Sequence, residues 1–172
     1  RLSKNLPRAK WVYYTSMGQG SEKMHRPLLL YIKETRAKLV FQPGTFQMKL
    51  GTLALAPLIA SSEITVVNKE EAERIVGDHT QDIRILLLRL HSLGCHIAVV
   101  TDGPKGSYTY DGKKYLFLNT FDVPVIERTG CGDAYATAMI AALHHGETLA
   151  EAMRWGTANS ASVIGFVGPQ KG

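Results

Sequence analysis

The stretch ERTGCGDAY at residues 127–135 places two glycines, a cysteine and an aspartate directly before an alanine-rich segment typical of a helix. Glycine is a poor helix former and packs no side chain, so Gly130 and Gly132 indicate a special backbone geometry. A helix that begins there exposes N–H groups without intrahelical partners, and the helix dipole adds positive potential. The stretch therefore predicts an anion site, and phosphate is the commonest biological anion at such a site.

Asp133 follows the glycine turn directly, where a carboxylate beside bound phosphate is repulsive unless the acid has its own task. Accepting a proton from a hydroxyl that attacks phosphorus is such a task, and phosphoryl transfer also needs donors for the developing charge. A structural interpretation stays open from this stretch alone. In it, Asp133 stabilises the first helical turn and the glycines form a tight loop.

The elements that must position this turn alternate between strands and helices. Short apolar runs predict strands at residues 11–14, 38–41, 64–67 and 96–101, and a hairpin surrounds Asp111-Gly112. Helical patterns predict a helix that begins near Pro27, a helical segment at 45–61 broken at Gly51 and Pro57, and helices at 68–77, 82–94, 133–145 and 147–166. The order predicts an α/β fold: a three-layer α/β/α arrangement with a mostly parallel sheet, helices on both faces and a β-hairpin. Ligands of such sheets bind beyond the carboxyl ends of the strands.

Composition excludes several classes of protein. The 172 residues, 45% hydrophobic and 20% charged, fit one ordinary globular domain. No run approaches the ~18 apolar residues of a membrane span, and Cys95 and Cys131 lack metal-like spacing, which favours a reducing, cytoplasmic setting. The net charge of +5 favours anionic partners. Because the basic residues are scattered, we predict a small anionic substrate and no nucleic-acid or membrane partner.

Five segments in one order resemble the PfkB (ribokinase-like) carbohydrate kinases. TGCGD and its small-residue helix resemble the family signature DTxGAGD, and FQPGT resembles its NPG(T/S) strand exit. VVNKEEAERIVG is similar to the family's NxxE segment, VVTDGPKGSYTYDGKKY to its VTxGxxG nucleotide loop and hairpin, and TANSASV to its late A-x-A-N helix. The resemblance covers essentially all 172 residues and the later part of the family's fold.

The resemblance implies roles for individual residues. Asp133 would be the catalytic base, and the amides of Gly130, Cys131 and Gly132 would surround the transferred phosphoryl group. Residues implied to bind MgATP are Thr101, Gly103 and Gly106 in the nucleotide loop, Asn159 at the adenine pocket, and Asn68 and Glu71 of the NxxE motif. Asn68 and Glu71 also match a helix capping box, which would exist for helix stability alone. No protein side chain is predicted to bind a metal directly, since Mg²⁺ would arrive with ATP and keep most of its waters.

Two departures from the family pattern affect the predicted function. Glu127 and Arg128 stand where the family has an Asp-Thr pair near a monovalent cation site, and Cys131 replaces its usual alanine. The resemblance implies ATP-dependent phosphorylation of a hydroxyl of a sugar or nucleoside. The alternative is a non-catalytic nucleotide-binding domain that acts as a sensor or scaffold.

The resemblance also implies a domain organisation. Residues 1–172 are expected to be a single nucleotide-binding and catalytic region, an excerpt that lacks the substrate and lid part of the family and is incomplete at both ends. Such a region would expose apolar surface, which makes a homodimer possible. The identity of the sugar or nucleoside is left open.

Overall fold

The structure is a computed structural model that describes residues 6–80 and 82–168. Within them the strands are β1 Trp11–Tyr14, β2 Lys38–Phe41, β3 Ile64–Asn68, β4 Ile97–Thr101, β5 Ser107–Tyr110 and β6 Tyr115–Leu118. The helices are α1 Glu22–Thr35, α2 Thr45–Met48, α3 Thr52–Ala60, α4 Lys69–Val76, α5 Ile83–Ser92, α6 Cys131–His144 and α7 Leu149–Ile164, with a 3₁₀ turn at Gly103–Lys105. The predicted α/β class is confirmed.

The strands form one sheet in the order β1-β2-β3-β4-β5-β6. β1 pairs parallel with β2, with Trp11 opposite Lys38, and β2 pairs parallel with β3, with Val40 opposite Ile64. Residues 39–41 and 64–67 are buried without alternation. Continuous burial is what a parallel strand covered on both faces requires, so the apolar runs predicted these strands correctly.

The described residues divide into two compact units. The first unit runs through Val100 and includes Thr109–Tyr115, and the second comprises Thr101–Tyr108 and the described residues from Leu116 onward. In the first unit, α4 packs against α5 and β3, around buried Leu55, Leu58, Ile59, Ile64, Leu86, Leu87 and Leu90. In the second unit, α6 and α7 pack along each other around Ala136, Met139, Ala142, Ala152 and Met153. The single region predicted over residues 1–172 stays a prediction.

Several element boundaries differ from the sequence-based expectation. α1 begins at Glu22 with Pro27 inside it, and α3 contains Pro57 without a break. A proline inside a helix removes one backbone donor, and here each helix continues through that loss. The hairpin has four connecting residues, because Asp111 Oδ1 accepts hydrogen bonds from both Lys113 N (2.9 Å) and Lys114 N (2.7 Å).

The start of α6 also differs from the expectation. The predicted helix begins at residue 133, whereas α6 begins at Cys131, so Cys131 and Gly132 belong to its first turn. Gly130 alone precedes the helix, with the positive φ of 84° that favours glycine. The first-turn donors of α6 are therefore the N–H groups of residues 131–133, and this turn carries two of the three predicted anion-hole residues together with Asp133.

Candidate functional site

The predicted nucleotide loop connects β4 to β5 through residues 102–106. Asp102 N donates to Gly106 O at 2.9 Å, and Gly106 N donates to Gly103 O at 3.2 Å, so the loop closes on itself. Lys105 Nζ lies 3.8 Å from Asp102 Oδ2, a weak exposed ion pair across the same turn.

Gly103 and Gly106 differ in what the loop requires of them. Gly106 has φ of 93°, and a Cβ there would collide with the carbonyl oxygen of Leu118 and lie 3.1 Å from the Phe117 ring. Gly103 has φ of 50°, and a Cβ there would meet no atom within 4 Å. Glycine at 106 is therefore needed for the close approach of the loop to β6. Glycine at 103 leaves open space above its backbone.

The predicted anion-hole donors lie at the start of α6, but one of them is already used in a hydrogen bond within the turn. Cys131 N donates to Arg128 O at 3.3 Å, and Ala134 N donates to Gly130 O at 2.8 Å. Within the described part of the chain, Gly132 N has no backbone acceptor. Of the three predicted anion-hole donors, the amide of Cys131 is therefore already used in the turn, whereas that of Gly132 is left for a ligand.

Asp133 is an exposed residue in the first turn of α6. Its backbone carbonyl accepts a hydrogen bond from Thr137 Oγ1 at 2.8 Å, which anchors the turn from within the helix. An exposed carboxylate at a helix N-terminus is stabilised by the dipole and accessible to a bound hydroxyl. The geometry is compatible with both interpretations of Asp133, as a base and as a helix-stabilising acid.

Cys131 lies beside Asp133 with its thiol half-buried. Burial raises the pKa of this thiol, while a hydrogen bond with Ser160 opposes that rise. The Sγ atom has one long contact to Glu127 O, at 3.9 Å. A thiol with a raised pKa is protonated at neutral pH and is a poor nucleophile. In this environment Cys131 behaves as a small apolar side chain in place of the family's usual alanine.

Glu127, which replaces the family's aspartate, ties the loop before α6 to the segment after α7. Its Oε2 atom accepts a hydrogen bond from Gly168 N at 2.8 Å. Hydrogen bonds from the Thr129 side chain and from this backbone amide lower the pKa of Glu127. The carboxylate is therefore engaged by protein donors, whereas Arg128 is exposed.

Asn68 and Glu71 form the predicted capping box at the start of α4. Asn68 Oδ1 accepts from Glu71 N at 2.8 Å, and Glu71 Oε2 accepts from Asn68 N at 2.9 Å. Burial raises the pKa of Glu71, and the hydrogen bond from Asn68 partly offsets this rise. The capping interpretation is confirmed, and the role of the two residues toward Mg²⁺ and phosphate stays a prediction.

Asn159 lies on α7, and its amide is used between helices. Nδ2 donates to Ala134 O at 2.9 Å, which fastens α7 to the first turns of α6. The adenine-pocket role implied for Asn159 stays a prediction. The acceptor residue, Ala134, directly follows Asp133 on α6, so Asn159 contacts the residue next to the proposed base.

The structure distributes the predicted residues between the two units. Thr101, Gly103, Gly106, the glycine turn with Asp133, and Asn159 belong to the second unit, and Asn68 and Glu71 belong to the first. Among the described residues, no group of three or more His, Cys, Asp and Glu side chains could hold a metal ion. A cleft of about 310 Å³ in the first unit, lined by residues 18–22, Phe46, Lys49 and Leu50, contains none of the predicted site residues.

Ser107 and Tyr135 were missed by the sequence analysis. Both are buried polar residues of the second unit, one directly after the nucleotide loop and one shortly after Asp133. The available signal was Gly156, a glycine inside a predicted helix, because such a glycine usually has a packing reason. Here a Cβ at Gly156 would lie 2.9 Å from the Tyr135 ring.

Residues 4–172 match the model of the pfkB family carbohydrate kinases. An ATP-dependent 6-phosphofructokinase of Thermoanaerobacterium thermosaccharolyticum is 32% identical over 111 residues, which are 64% of this chain and 34% of that protein. Within the described residues, no helix has the length and apolar character needed to cross a membrane.

Two solved structures share the fold. The nucleoside kinase of Burkholderia thailandensis in complex with inosine has a TM-score of 0.78 at 22% identity and covers 98% of this chain. A putative ribokinase II of E. coli in complex with ATP and Mg²⁺ also has a TM-score of 0.78, at 14% identity over 91% of this chain. The chain spans 53% of the length of each of these two proteins.

Proposed function

Because the chain belongs to the pfkB family of carbohydrate kinases, we propose that it transfers the γ-phosphoryl group of MgATP to a hydroxyl of a sugar or nucleoside. The observation that carries this proposal is the first turn of α6. There an exposed carboxylate, Asp133, directly follows a glycine turn whose Gly132 N–H has no backbone acceptor in the described part of the chain. The turn combines a base with a donor for an anion.

In the proposed reaction, Asp133 accepts the proton of the acceptor hydroxyl as its oxygen attacks the γ-phosphorus. The Gly132 amide and the positive end of the α6 dipole stabilise the charge on the transferred phosphoryl oxygens. The loop of residues 102–106 binds the nucleotide through its backbone, since Gly103 leaves the approach open. Phosphoryl transfer of this type depends mainly on positioning and electrostatics, which these elements supply.

Mg²⁺ would neutralise charge on the nucleotide phosphates. The ion would arrive with the nucleotide and keep most of its waters. Asn68 and Glu71 would act on it through water. Their side-chain oxygens already accept the two capping hydrogen bonds, but a carboxylate oxygen has capacity for a further donor.

A second candidate function is nucleotide binding without catalysis, as a sensor or scaffold. The observation that favours it is Glu127, because its carboxylate is engaged by Gly168 N and Thr129. A carboxylate held in this way is a poorer candidate for a cation site. The two functions differ in whether the complete protein transfers a phosphoryl group, for which the first function needs Asp133.

The test is a calorimetric titration of the chain with MgATP, beside Asp133→Asn and the control Asp122→Asn, an exposed acid of the same unit. We expect saturable binding in all three, because Asp133 contacts the acceptor rather than the nucleotide. In the complete protein, with sugars and nucleosides as acceptors, Asp133→Asn should lose at least ~10²-fold in kcat, as expected for loss of a general base. Asp122→Asn should retain its activity.

Two results would contradict the proposal. If the folded chain does not bind MgATP, the described residues do not form the nucleotide site by themselves. Full turnover in Asp133→Asn would show that the base is another group. Binding in every variant without turnover in the complete parent protein would favour the sensor or scaffold function.

A further inference from the structure

Two residues of α7 that weaken a helix lie on one side of it. Gly156 and Asn159 are three positions apart in α7, a spacing that places them on the same helix face. Glycine costs helix stability relative to alanine, and asparagine competes for backbone hydrogen bonds, so helix propensity explains neither residue. Both of them contact α6, directly after Asp133.

Asn159 donates a hydrogen bond to the carbonyl of the residue that follows the proposed base. Its Nδ2 atom lies 2.9 Å from Ala134 O, and Ala134 is next to Asp133 on α6. The two partners are 25 residues apart in the chain, and both belong to the second unit. This bond therefore joins α7 to the part of α6 that carries the base.

The backbone of Ala134 is held at both of its polar atoms. Ala134 N donates to Gly130 O at 2.8 Å, which closes the first turn of α6. The single hydroxyl proton of Thr137 is shared between Asp133 O at 2.8 Å and Ala134 O at 3.1 Å, within the same helix. Asn159 adds a donor from outside α6, so it fixes where this turn lies on its neighbour.

Gly156 brings the backbone of α7 against the next residue of α6. A Cβ at position 156 would lie 2.9 Å from Tyr135 Cδ2 and 3.0 Å from Tyr135 O, so a larger residue would force the two helices to shift. Gly156 is buried at this contact. The close approach at Tyr135 and the hydrogen bond at Ala134 thus hold two consecutive residues after Asp133 on α7.

We propose that Asn159 is a positioning residue for the proposed base, because its hydrogen bond holds the first turn of α6 in one place on α7. The inference rests on the proposed function, which makes Asp133 the base. In this role Asn159 touches neither the acceptor hydroxyl nor the transferred phosphoryl group. A displacement of about 1 Å at the reacting groups can lower a rate ~10²-fold, so the support of this turn matters for turnover.

The resemblance to the PfkB kinases implies another role for Asn159, at the adenine pocket, and the two roles predict different kinetics. A residue that acts through the base lowers kcat at saturating nucleotide. Loss of an adenine contact instead weakens MgATP binding and leaves kcat unchanged. The Nδ2 group is already used by Ala134 O, which favours the positioning role.

The experiment compares the complete protein with its variants Asn159→Ala and Asn159→Asp. Asn159→Asp keeps the shape of the side chain and removes its N–H donors. Ser162→Ala, which changes an exposed polar residue of the same helix, is the control. MgATP affinity is measured by calorimetry, and kcat with the sugar or nucleoside that the parent phosphorylates, at a temperature at which every variant is folded.

We expect kcat to fall about fivefold to tenfold in Asn159→Ala, as the loss of one hydrogen bond predicts, with MgATP affinity changed by less than about twofold. Asn159→Asp should lose at least as much, since a carboxylate cannot donate to Ala134 O. Ser162→Ala should match the parent. Unchanged kcat in both Asn159 variants, or a loss confined to MgATP affinity, would overturn the positioning role.

Amide hydrogen exchange without nucleotide separates this inference from the proposed function. We expect residues 134–138 of α6 to exchange faster in both Asn159 variants than in the parent, and at the parent's rate in Ser162→Ala. If the complete parent protein phosphorylates no sugar or nucleoside, the proposed function fails, and exchange at residues 134–138 decides by itself whether Asn159 holds the turn. Unchanged exchange there in both Asn159 variants would overturn the inference.

Discussion

Cys131 and Asp133 show how the environment of a residue decides its chemistry within one helix turn. Both lie in the first turn of α6, where the dipole favours negative charge. The Asp133 side chain is exposed, whereas the Cys131 thiol is half-buried and its pKa is raised. Burial therefore exceeds the effect of the helix terminus at Cys131. The proposed base is therefore the exposed carboxylate of this turn, and the thiol has no proposed role in the reaction.

Replacing Cys131 by alanine should change MgATP affinity by less than about twofold, because a protonated thiol of this kind behaves as a small apolar group. The backbone N–H of residue 131 is kept in the variant. Calorimetric titration of Cys131→Ala beside the parent checks this prediction. A large loss of affinity in a variant with unchanged stability would show that the thiol itself contributes to the site.

Glu71 predicts a dependence of stability on pH. Its pKa is raised by burial above the ordinary value of 4.5, so between these two values the folded state binds more protons than the unfolded state. The free energy of unfolding should therefore fall as pH rises from below 4.5 through the raised pKa, and should then level off. Glu71→Gln should remove this contribution while its side-chain oxygen keeps the capping bond.

Urea denaturation of the parent and Glu71→Gln across this pH range gives the measurement. The difference in the free energy of unfolding, parent minus variant, should decrease with rising pH. Glu34→Gln, an exposed acid of α1, is the control for removal of a charge. A difference that increases with pH would mean that the capping bond, rather than burial, dominates at Glu71.

At the scale of elements, the loop of residues 102–106 depends on the hairpin that follows it. Gly106 approaches Leu118 of β6 so closely that a side chain has no space, whereas Gly103 faces open space. The loop is therefore packed against β6 at Gly106 and has room for another atom beside Gly103. This asymmetry fits a loop whose closed end is structural and whose open end can receive a ligand.

Gly106→Ala and Gly103→Ala form a matched pair of substitutions in this loop. Gly106→Ala combines a positive φ of 93° with a collision, and should lower the free energy of unfolding by about 3 kcal/mol or more. Gly103→Ala should cost about 1 kcal/mol, the ordinary penalty of the left-handed region for alanine. Urea denaturation distinguishes them, and equal losses would show that β6 does not constrain the loop.

At the scale of the whole molecule, each of the two units contains some of the residues for which the sequence predicts a role. The nucleotide loop and the α6 turn belong to the second unit, whereas Asn68 and Glu71 belong to the first. The capping box fully explains the local geometry of Asn68 and Glu71. Only ligand binding can therefore show whether these two residues also act on Mg²⁺ and phosphate.

Amide hydrogen exchange with MgATP tests this participation. We expect protection of residues 102–106 and 130–133, because their backbone is proposed to bind the nucleotide. Protection of residues 68–71 should appear with MgATP and disappear with ATP and a chelator, if the NxxE motif acts through the ion. The buried helix α5 is the internal reference. If neither residues 102–106 nor residues 130–133 are protected, the result would contradict the proposed nucleotide site.

The sequence by itself determined the α/β class, the strands and the motifs, because continuous apolar runs, helical spacing and glycine patterns are local properties. The capping box at Asn68 was likewise predictable, since its partners are three residues apart. Helix starts at Glu22 and Cys131 were not predicted, because a proline in the second turn of α1 and a glycine in the first turn of α6 are tolerated when neighbouring elements stabilise the helix.

Only the tertiary structure decided the contacts between residues far apart in the chain. It showed that Gly106 faces Leu118, that Gly156 makes room for Tyr135, and that Asn159 fastens α7 to α6. These relations depend on packing in three dimensions, where a side chain's partner is set by the fold and leaves no periodic signal in the sequence.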